Sequence, residues 1–356
     1  RSIHQTPDNV PRAQQGPNIV NNTPHQTPQT NTMQFGYEQY PTQQVAPQAQ
    51  PQAQPQMLQT KILVLNATGK HGIGACRGLR DAGYTAVFGS SRSKESKTLS
   101  ALGVTTVQGN YTDVVDLAKM FEQTGATHAI GITDYFGAGK GKAALEITHG
   151  KAIVDACKAA NVQHLVFTSV LGADVAPDNV KHVKSKLPIE KYLQSSGVPH
   201  TILRPGVFFE NINDAANSNP LKKGHVKMLS KSKMLWCSTY DCGRAAAVAF
   251  QNKSKYLGKI EEVVSYAGDL ASVGAGLQEV GGVPVKASLV LPIFLRWLFI
   301  YDLHCMCNYF ENDQGFKTGM DARVARFKEM VPNAMDPKDF FKYLGKYANG
   351  DPIVPK

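Results

Sequence analysis

The stretch Asn66-Ala-Thr-Gly-Lys-His-Gly-Ile-Gly74 has the composition of a loop that holds an anion. It follows directly on Lys61-Ile-Leu-Val-Leu65, a short branched apolar run that reads as a buried strand. It leads into a helix through Ala75 to Ala82, closed by Gly83. In such a strand-to-helix turn the amides of Asn66, Ala67, Thr68, Gly69, Lys70, His71 and Gly72 are expected to face a dinucleotide diphosphate, whose charge the helix N-terminus stabilises. Gly69 is expected to permit the tight turn and Gly72 to let the cofactor approach closely. The plainer alternative is a glycine-rich turn that holds nothing.

The residues beyond the second strand bear on the choice of cofactor. An acidic residue there would accept from a ribose 2′-hydroxyl and favour NAD. This chain gives Phe88-Gly-Ser-Ser-Arg-Ser-Lys94, with no carboxylate before Glu95. Arg92 has the planar fork to grip a 2′-phosphate, Ser90 or Ser91 would donate to it, and Lys94 adds charge. NADP(H) is therefore expected over NAD(H). Asp113, in Gly109-Asn-Tyr-Thr-Asp113, either accepts from the adenine amino group or caps the next helix. Thr133, Asp134, Tyr135 and Phe136 follow the fourth strand and are expected to line the cofactor near its nicotinamide.

The elements that must position these residues alternate strictly. Strands are expected at 61–65, 85–88, 104–108, 128–132, 164–169 and 200–203. Helices are expected at 75–82, 94–102, 114–124, 145–160 and 186–196. That order predicts an α/β fold, a doubly wound parallel sheet of Rossmann type with helices on both faces. We place the dinucleotide-binding domain at 59–212. A smaller C-terminal lobe, 213–356, is expected to complete the cleft, with some return to the sheet.

These residues resemble the NmrA-like family of atypical short-chain dehydrogenase/reductases, which spans regulators, redox sensors and isoflavone-reductase-like enzymes. The resemblance runs from about Lys61 towards residue 345. VLNATGKHG is similar to the family's glycine loop, with Asn66 where many members have glycine. Thr201-Ile-Leu-Arg-Pro-Gly-Val-Phe-Phe-Glu-Asn211 is the most specific match. Thr239-Tyr-Asp-Cys-Gly-Arg-Ala-Ala resembles the family's Asp-x-Gly-Arg-Ala helix start, and Phe340-Phe-Lys-Tyr-Leu344 its terminal helix. Typical short-chain dehydrogenases use Tyr-x-x-x-Lys, two residues on one helical face. The matching stretch here is His182-Val-Lys-Ser-Lys186, so the lysine is in place and the tyrosine is not. The resemblance implies that Lys186 holds the nicotinamide ribose and that Ser169, ending strand five, lies near the nicotinamide. The alternative for Ser169 is backbone capping. His182 and Tyr135 are the candidate proton donors, the plainer reading of His182 being a surface residue.

Composition bounds the rest. Residues 1–58 are rich in Gln, Pro, Thr and Asn and poor in large apolar side chains, so a disordered arm is expected. Their formal charges, Arg1, Asp8, Arg12 and Glu38, cancel, and the net +10 lies on the remainder. That balance suits a polyanionic ligand, a phosphorylated cofactor or a nucleic acid, the plainer reading being an ordinary basic enzyme. Lys222 to Lys233 is strongly basic and reads as a solvated loop; no nucleic-acid fold signature accompanies it, so no direct nucleic-acid binding is expected. The aromatic stretch Leu291–Phe310 reads as core, and otherwise as the lining of a hydrophobic substrate pocket or as a partner surface. Gln314 to Lys317 is expected beside the nicotinamide cleft. The longest apolar run, Leu289 to Tyr301, is interrupted and falls short of the roughly 18 residues of a membrane span. Six cysteines without a repeated C-x-x-C suggest buried thiols and no metal site. No secretory signal is visible, and a cytoplasmic location, also nuclear, is expected. Two functions follow: an NADP(H)-sensing regulator of redox or nitrogen metabolism acting through a protein partner or a homodimer, or an NADPH-dependent reductase of quinones, enones or similar planar carbonyls.

Overall fold

The computed structural model describes residues 59–212, 224–282 and 284–347. The expected disordered arm over 1–58 lies outside the described residues, as do Lys222 and Lys223. The dinucleotide-fold half runs β1 (Ile62–Val64), α1 (Lys70–Asp81), β2 (Val87–Ser91), α2 (Lys97–Ala101), β3 (Thr105–Gln108), α3 (Val114–Thr124), β4 (His128–Ile132), α4 (Ala143–Ala159), β5 (His164–Thr168), α5 (Lys181–Lys184), α6 (Lys186–Ser196) and β6 (His200–Pro205). The chain continues through β7 (Val207–Phe208), β8 (His225–Met228), β9 (Met234–Cys237), α7 (Thr239–Gln251), α8 (Lys253–Tyr256), β10 (Ile260–Val263), β11 (Tyr266–Gly268), α9 (Leu270–Gly281) and β12 (Lys286–Leu289). It ends in α10 (Ile293–Phe299), α11 (Tyr301–Asn312), α12 (Gln314–Lys317), α13 (Met320–Met330) and α14 (Pro337–Tyr347).

Seven strands form one sheet in the order β10-β6-β5-β4-β1-β2-β3, every pair parallel. The direction of winding reverses between β1 and β4, which opens a crevice at their carboxyl ends. Thr133 and the Asn66 loop both emerge there. The strands read as continuous apolar runs because both faces are covered: β1, β4 and β5 are buried throughout. The C-terminal half returns to this sheet through β10, whose register places Ile260 beside Ile202. It also contributes α7, which packs so closely on α1 that a Cβ on Gly78 would lie 2.6 Å from the Arg244 amide nitrogen.

Two expectations from the sequence change. Helix α1 begins at Lys70, so Lys70, His71 and Gly72 are its first turn and not a preceding loop. The stretch 291–310 divides: Tyr309 and Phe310 are buried, Phe310 stacking on Phe316 of α12 at 4.6 Å. Phe294 and Trp297 of α10 and Tyr301 at the start of α11 are exposed, on helix faces turned away from the core. The basic run includes strand β8, and Lys231 and Lys233 are exposed beyond it. None of the six cysteines is in a disulfide, and all are buried. Among the described residues no helix is long and apolar enough to cross a membrane, and no cluster could hold a metal.

At the opposite end of the sheet β4, β5 and β6 each open with a histidine: His128, His164 and His200. The His128 and His164 rings lie edge-on to Phe250, 5.1 and 5.2 Å away. Burial, with the Lys253 charge acting in the same direction, lowers His128 to about 4 and His164 to about 3. Both are therefore held neutral in the fold, and in the unfolded chain they titrate near 6.5. Their contribution to stability is complete above pH 6.5 and is lost as pH falls towards 4 and 3. Urea midpoints measured from pH 7.5 to 4.5 should fall with acidification. In a His128→Gln/His164→Gln variant that slope should flatten; an unchanged slope would assign the acid sensitivity to other groups.

Candidate functional site

The carboxyl ends of β1, β2, β3 and β4 enclose a cleft of about 680 Å³, within the ~300–1,000 Å³ typical of ligand sites. Its walls include Asn66, Thr68, Ser90, Ser91, Arg92, Asn110, Tyr111, Asp134, Lys140, Leu145 and His149. All lining residues fall between Asn66 and His149. The C-terminal half meets this half elsewhere, through Asp302 at His182 and Thr239 at Glu210.

The loop after β1 turns through Asn66, whose φ of 55° lies in the left-handed region; asparagine tolerates it better than most residues. Gly69 has an ordinary φ of −75°. The turn expected of Gly69 is therefore made by Asn66, and Gly69 instead supplies an N-cap without a side-chain acceptor. Gly72 also differs from expectation. A Cβ there would sit 2.2 Å from the Asn66 carbonyl oxygen and 2.5 Å from the Ala67 Cα. Its missing side chain admits the loop's own backbone, which folds over the first turn of α1. Buried Ser90 accepts a hydrogen bond from the Asn66 amide at 2.9 Å and ties this loop to the end of β2. Ala67 packs in the core beneath the loop. Lys70 Nζ lies 3.5 Å from the Glu210 carbonyl oxygen.

His71 turns inward, its ring 5.0 Å from Phe208, and its Nε2 is buried without a hydrogen-bond partner. Burial, reinforced by the Lys186 charge, lowers it to about 3. Nearby, Glu210 accepts from the Thr239 amide and hydroxyl at 2.9 and 2.7 Å. Burial pushes its carboxyl up to about 7 despite those bonds.

Strand β2 extends to Ser91, farther than its sequence suggested, and Ser91 Oγ accepts from the Ser93 amide. Arg92 follows, exposed at the cleft wall. Lys94 is exposed too but is not among the lining residues. Asp113 is the N-cap of α3, accepting from the amides of Val115 and Asp116. Its carboxylate is engaged there, and Asn110, Tyr111 and Thr112 face the cleft in its place. Tyr111 is 9% exposed, and its hydroxyl has no partner. Burial raises its pKa, the Asp134 and Glu146 charges raise it further, and Arg92 opposes them. His149 Nδ1 is likewise buried and unpartnered.

Behind the cleft lies a buried ionic network that sequence reasoning missed. Lys186, 8% exposed, donates to Glu146 Oε1 at 2.6 Å and to the Thr133 hydroxyl at 2.5 Å. Thr133 donates to the same carboxylate oxygen, and Ser185 donates to its other oxygen. Glu146, in the first turn of α4, is fully buried. One turn beyond Lys186, Glu190 receives a bidentate bond from Arg204, with Nε at 2.9 Å and the terminal nitrogen at 2.6 Å. Arg204 also pairs with Asp174 at 2.8 Å. Ser169 donates to Glu190, so its hydroxyl is engaged in this clamp. The arginine of the Arg-Pro-Gly motif thus ties β6 to α6.

His182 is not a plain surface residue. Its Nδ1 bonds Asp302 of α11, which also accepts from the Lys181 amide at 2.6 Å. Its Nε2 lies 3.2 Å from the Met306 sulfur, and its ring is 5.8 Å from Tyr135 and 5.4 Å from Phe136. Burial alone would raise the Asp302 carboxyl; the His182 bond and charge hold it below the usual range. Burial and the Asp302 and Glu146 charges raise Tyr135, making it a weaker acid. Gln314–Lys317 is not among the residues lining the cleft; it seats Phe316 against Tyr309 and Phe310. Glu146, the second residue of the helix expected at 145–160, offered at most a faint sequence signal as a partner for Lys186. Asp302, 120 positions from His182, offered none.

Fold and site define a Rossmann-type protein whose first helix starts at the crevice without a side-chain cap. The NmrA-like family model matches residues 58–312, and the chain belongs to that family. Among curated proteins it is 27% identical over 111 residues to Prestalk A differentiation protein A of Dictyostelium discoideum, covering 31% of this chain and 34% of that protein. It is 25% identical over 179 residues to Quinone oxidoreductase 2 of Escherichia coli, covering 50% of this chain and 57% of that one. The chain therefore matches well under two thirds of the length of either relative. Among solved structures, NmrA, described as a negative transcriptional regulator in complex with NADP, superposes with a TM-score of 0.62 at 19% identity, covering 82% of this chain and 98% of that one.

Proposed function

We propose that the cleft binds a nicotinamide dinucleotide, NADP(H) in preference to NAD(H), and that the protein is an NADP(H)-responsive regulator of redox or nitrogen metabolism with little turnover of its own. One observation carries this reading. The lysine and serine expected at the nicotinamide are engaged by other protein groups, Lys186 by Glu146 and Thr133 and Ser169 by Glu190, and His182 stands where the usual tyrosine would be. The dinucleotide itself is supported by the uncapped first turn of α1 and by the cleft beside it, which Asn66 and Thr68 line together with Tyr111 and His149, each with an unpartnered polar atom. The structures of NmrA with NADP and with NAD, and of the E. coli quinone oxidoreductase with NADPH, point the same way.

In this reading Asn66 to Gly72 hold the diphosphate, Ser91 and Arg92 the 2′-phosphate, and Thr133 and Lys186 the nicotinamide ribose. A bound nicotinamide supplies hydride-transfer chemistry, which a sensor does not need. The signal passes to a protein partner or a second copy of the chain, because the nucleotide binds one arrangement better than another. Cytoplasm and nucleus both suit such a role.

The second reading, a reductase of quinones, enones or similar planar carbonyls, is favoured by the orientation of His182. A histidine fixed at Nδ1 by a carboxylate, beside Tyr135 and Phe136, is arranged as a general acid. Purified protein should oxidise NADPH slowly across a panel of quinones and enones. Turnover above about 1 per second that collapses in Lys186→Ala would overturn the regulator and establish the reductase.

Arg92→Ala tests the cofactor preference. Losing a charge-assisted contact of about 1.5–3 kcal/mol should weaken NADPH about 10- to 100-fold and leave NADH within about two-fold. Equal losses, read by calorimetry, would remove Arg92 from the 2′-phosphate.

A further inference from the structure

Between β4 and α4 the chain runs Asp134-Tyr-Phe-Gly-Ala-Gly-Lys-Gly-Lys142. This segment is tightly ordered by its own backbone. Gly139 donates to the Asp134 carbonyl at 2.7 Å, Gly141 to the Tyr135 carbonyl at 2.8 Å, and Lys142 to the Gly139 carbonyl at 2.8 Å. Glycine is required at Gly139, where the neighbours are backbone, and at Gly137 it leaves room for the Asp134 side chain. A Cβ on Gly137 would meet Asp134 Oδ2 at 2.1 Å, and one on Gly139 would meet the Tyr135 carbonyl oxygen at 2.6 Å. The folded segment holds Lys140 at φ 49°, a conformation that lysine adopts at a cost. Lys140 is exposed and lines the cleft together with Arg92. Lys142 is exposed as well but is not among the lining residues.

The charges facing this space are few. Arg92 enters from the end of β2 and Lys140 from the end of β4, the two strands that flank β1. The one lining carboxylate, Asp134, is turned back into its own loop, where the Gly137 amide donates to it at 2.8 Å. Burial keeps both remaining titratable groups neutral near pH 7: it lowers His149, against the Glu146 charge, and raises Tyr111. The lining therefore presents two cations, Arg92 from the β2 end and Lys140 from the β4 end. Lys94, the second cation expected from sequence, is not part of it.

We propose that Lys140 is the second cation of the 2′-phosphate site, closing on the group from the β4 wall while Arg92 holds it from the β2 wall. This rests on the dinucleotide reading above and extends it to a residue of the β4–α4 loop. A dianionic phosphate takes charge-assisted bonds from both sides, and a strained but internally hydrogen-bonded loop holds the Lys140 backbone in place, so only its side chain is ordered on binding.

The test is calorimetric titration of NADPH and NADH into wild type, Lys140→Gln, Lys140→Gly, Lys142→Ala and Arg92→Ala/Lys140→Gln. Both Lys140 variants should lose about 5- to 20-fold in NADPH affinity and less than about two-fold for NADH. Lys140→Gly should melt no lower than wild type, since glycine takes the left-handed φ freely; loss of affinity in a fully stable protein separates binding from structure. Lys142→Ala should match wild type, and the double variant should bind the two nucleotides alike. If the Lys140 variants keep the wild-type NADPH-to-NADH ratio, or Lys142→Ala shifts it as far, the proposal falls and the dinucleotide reading stands. If wild type binds neither nucleotide, both fall.

Discussion

Gly72→Ala is expected to abolish nucleotide binding, with a loss of more than about 100-fold, whereas Gly69→Ala should change it by less than about three-fold. The contrast follows from what each added methyl would meet. At Gly72 it would lie 2.2 Å from the Asn66 carbonyl oxygen and 2.8 Å from the Ala67 carbonyl carbon. These are backbone atoms of a loop fixed by the Ser90 hydroxyl, so they have no rotamer in which to retreat. The first turn of α1 must move off the loop, and amides set for an anion lose their convergence; misplacement by about an ångström can cost about 10²-fold. Overpacking of this kind should also destabilise the fold by about 1–3 kcal/mol. At Gly69 the nearest contact is the Asn66 side-chain oxygen at 3.5 Å, an ordinary van der Waals distance. Calorimetry with NADPH and thermal melts of the two variants decide the matter. A Gly72→Ala protein that binds as wild type does would show that the loop is not the diphosphate cradle.

Glu146→Leu should destabilise the protein by about 3–5 kcal/mol, the largest stability loss we expect from any single substitution at the site. The carboxylate is fully buried and holds Lys186 at 2.6 Å, with Thr133 and Ser185 also donating to it. Removing it leaves a buried ammonium and two hydroxyls without their acceptor, and an uncompensated buried charge costs far more than the pair gains. Lys186→Met should cost a similar amount by stranding the carboxylate. Combining the two should recover most of the loss, because both charges leave together. Urea unfolding of the two single variants and the double variant closes the cycle. Additive losses would mean that the two groups do not act as a pair. The cycle also bears on function: Lys186 is held by the protein before any ligand arrives, so whatever it does for a nicotinamide ribose it does from a preset position.

The parts of this site legible in the sequence were those carried by local pattern. Alternating apolar runs and helical stretches give the order of the elements, and a glycine-rich turn after the first strand marks the crevice whatever its ligand. Arg92, without a preceding carboxylate, is readable because cofactor choice rests on residues just beyond one strand. Asp113 shows where local reading stops. Its type suits an adenine contact and an N-cap equally, and only the position of the Val115 and Asp116 amides decides between them.

Tertiary structure decided the roles that depend on which distant groups share a buried volume. Gly72 differs from Gly69 only in what lies over it. Lys186 and Glu146, or His182 and Asp302, sit 40 and 120 positions apart, and no periodicity links them. Secondary structure arises from neighbours within a few residues, so composition and spacing encode it. A buried charge must instead be met by an opposite charge wherever the chain brings one, and that is fixed only when the sheet closes and the helices dock upon it.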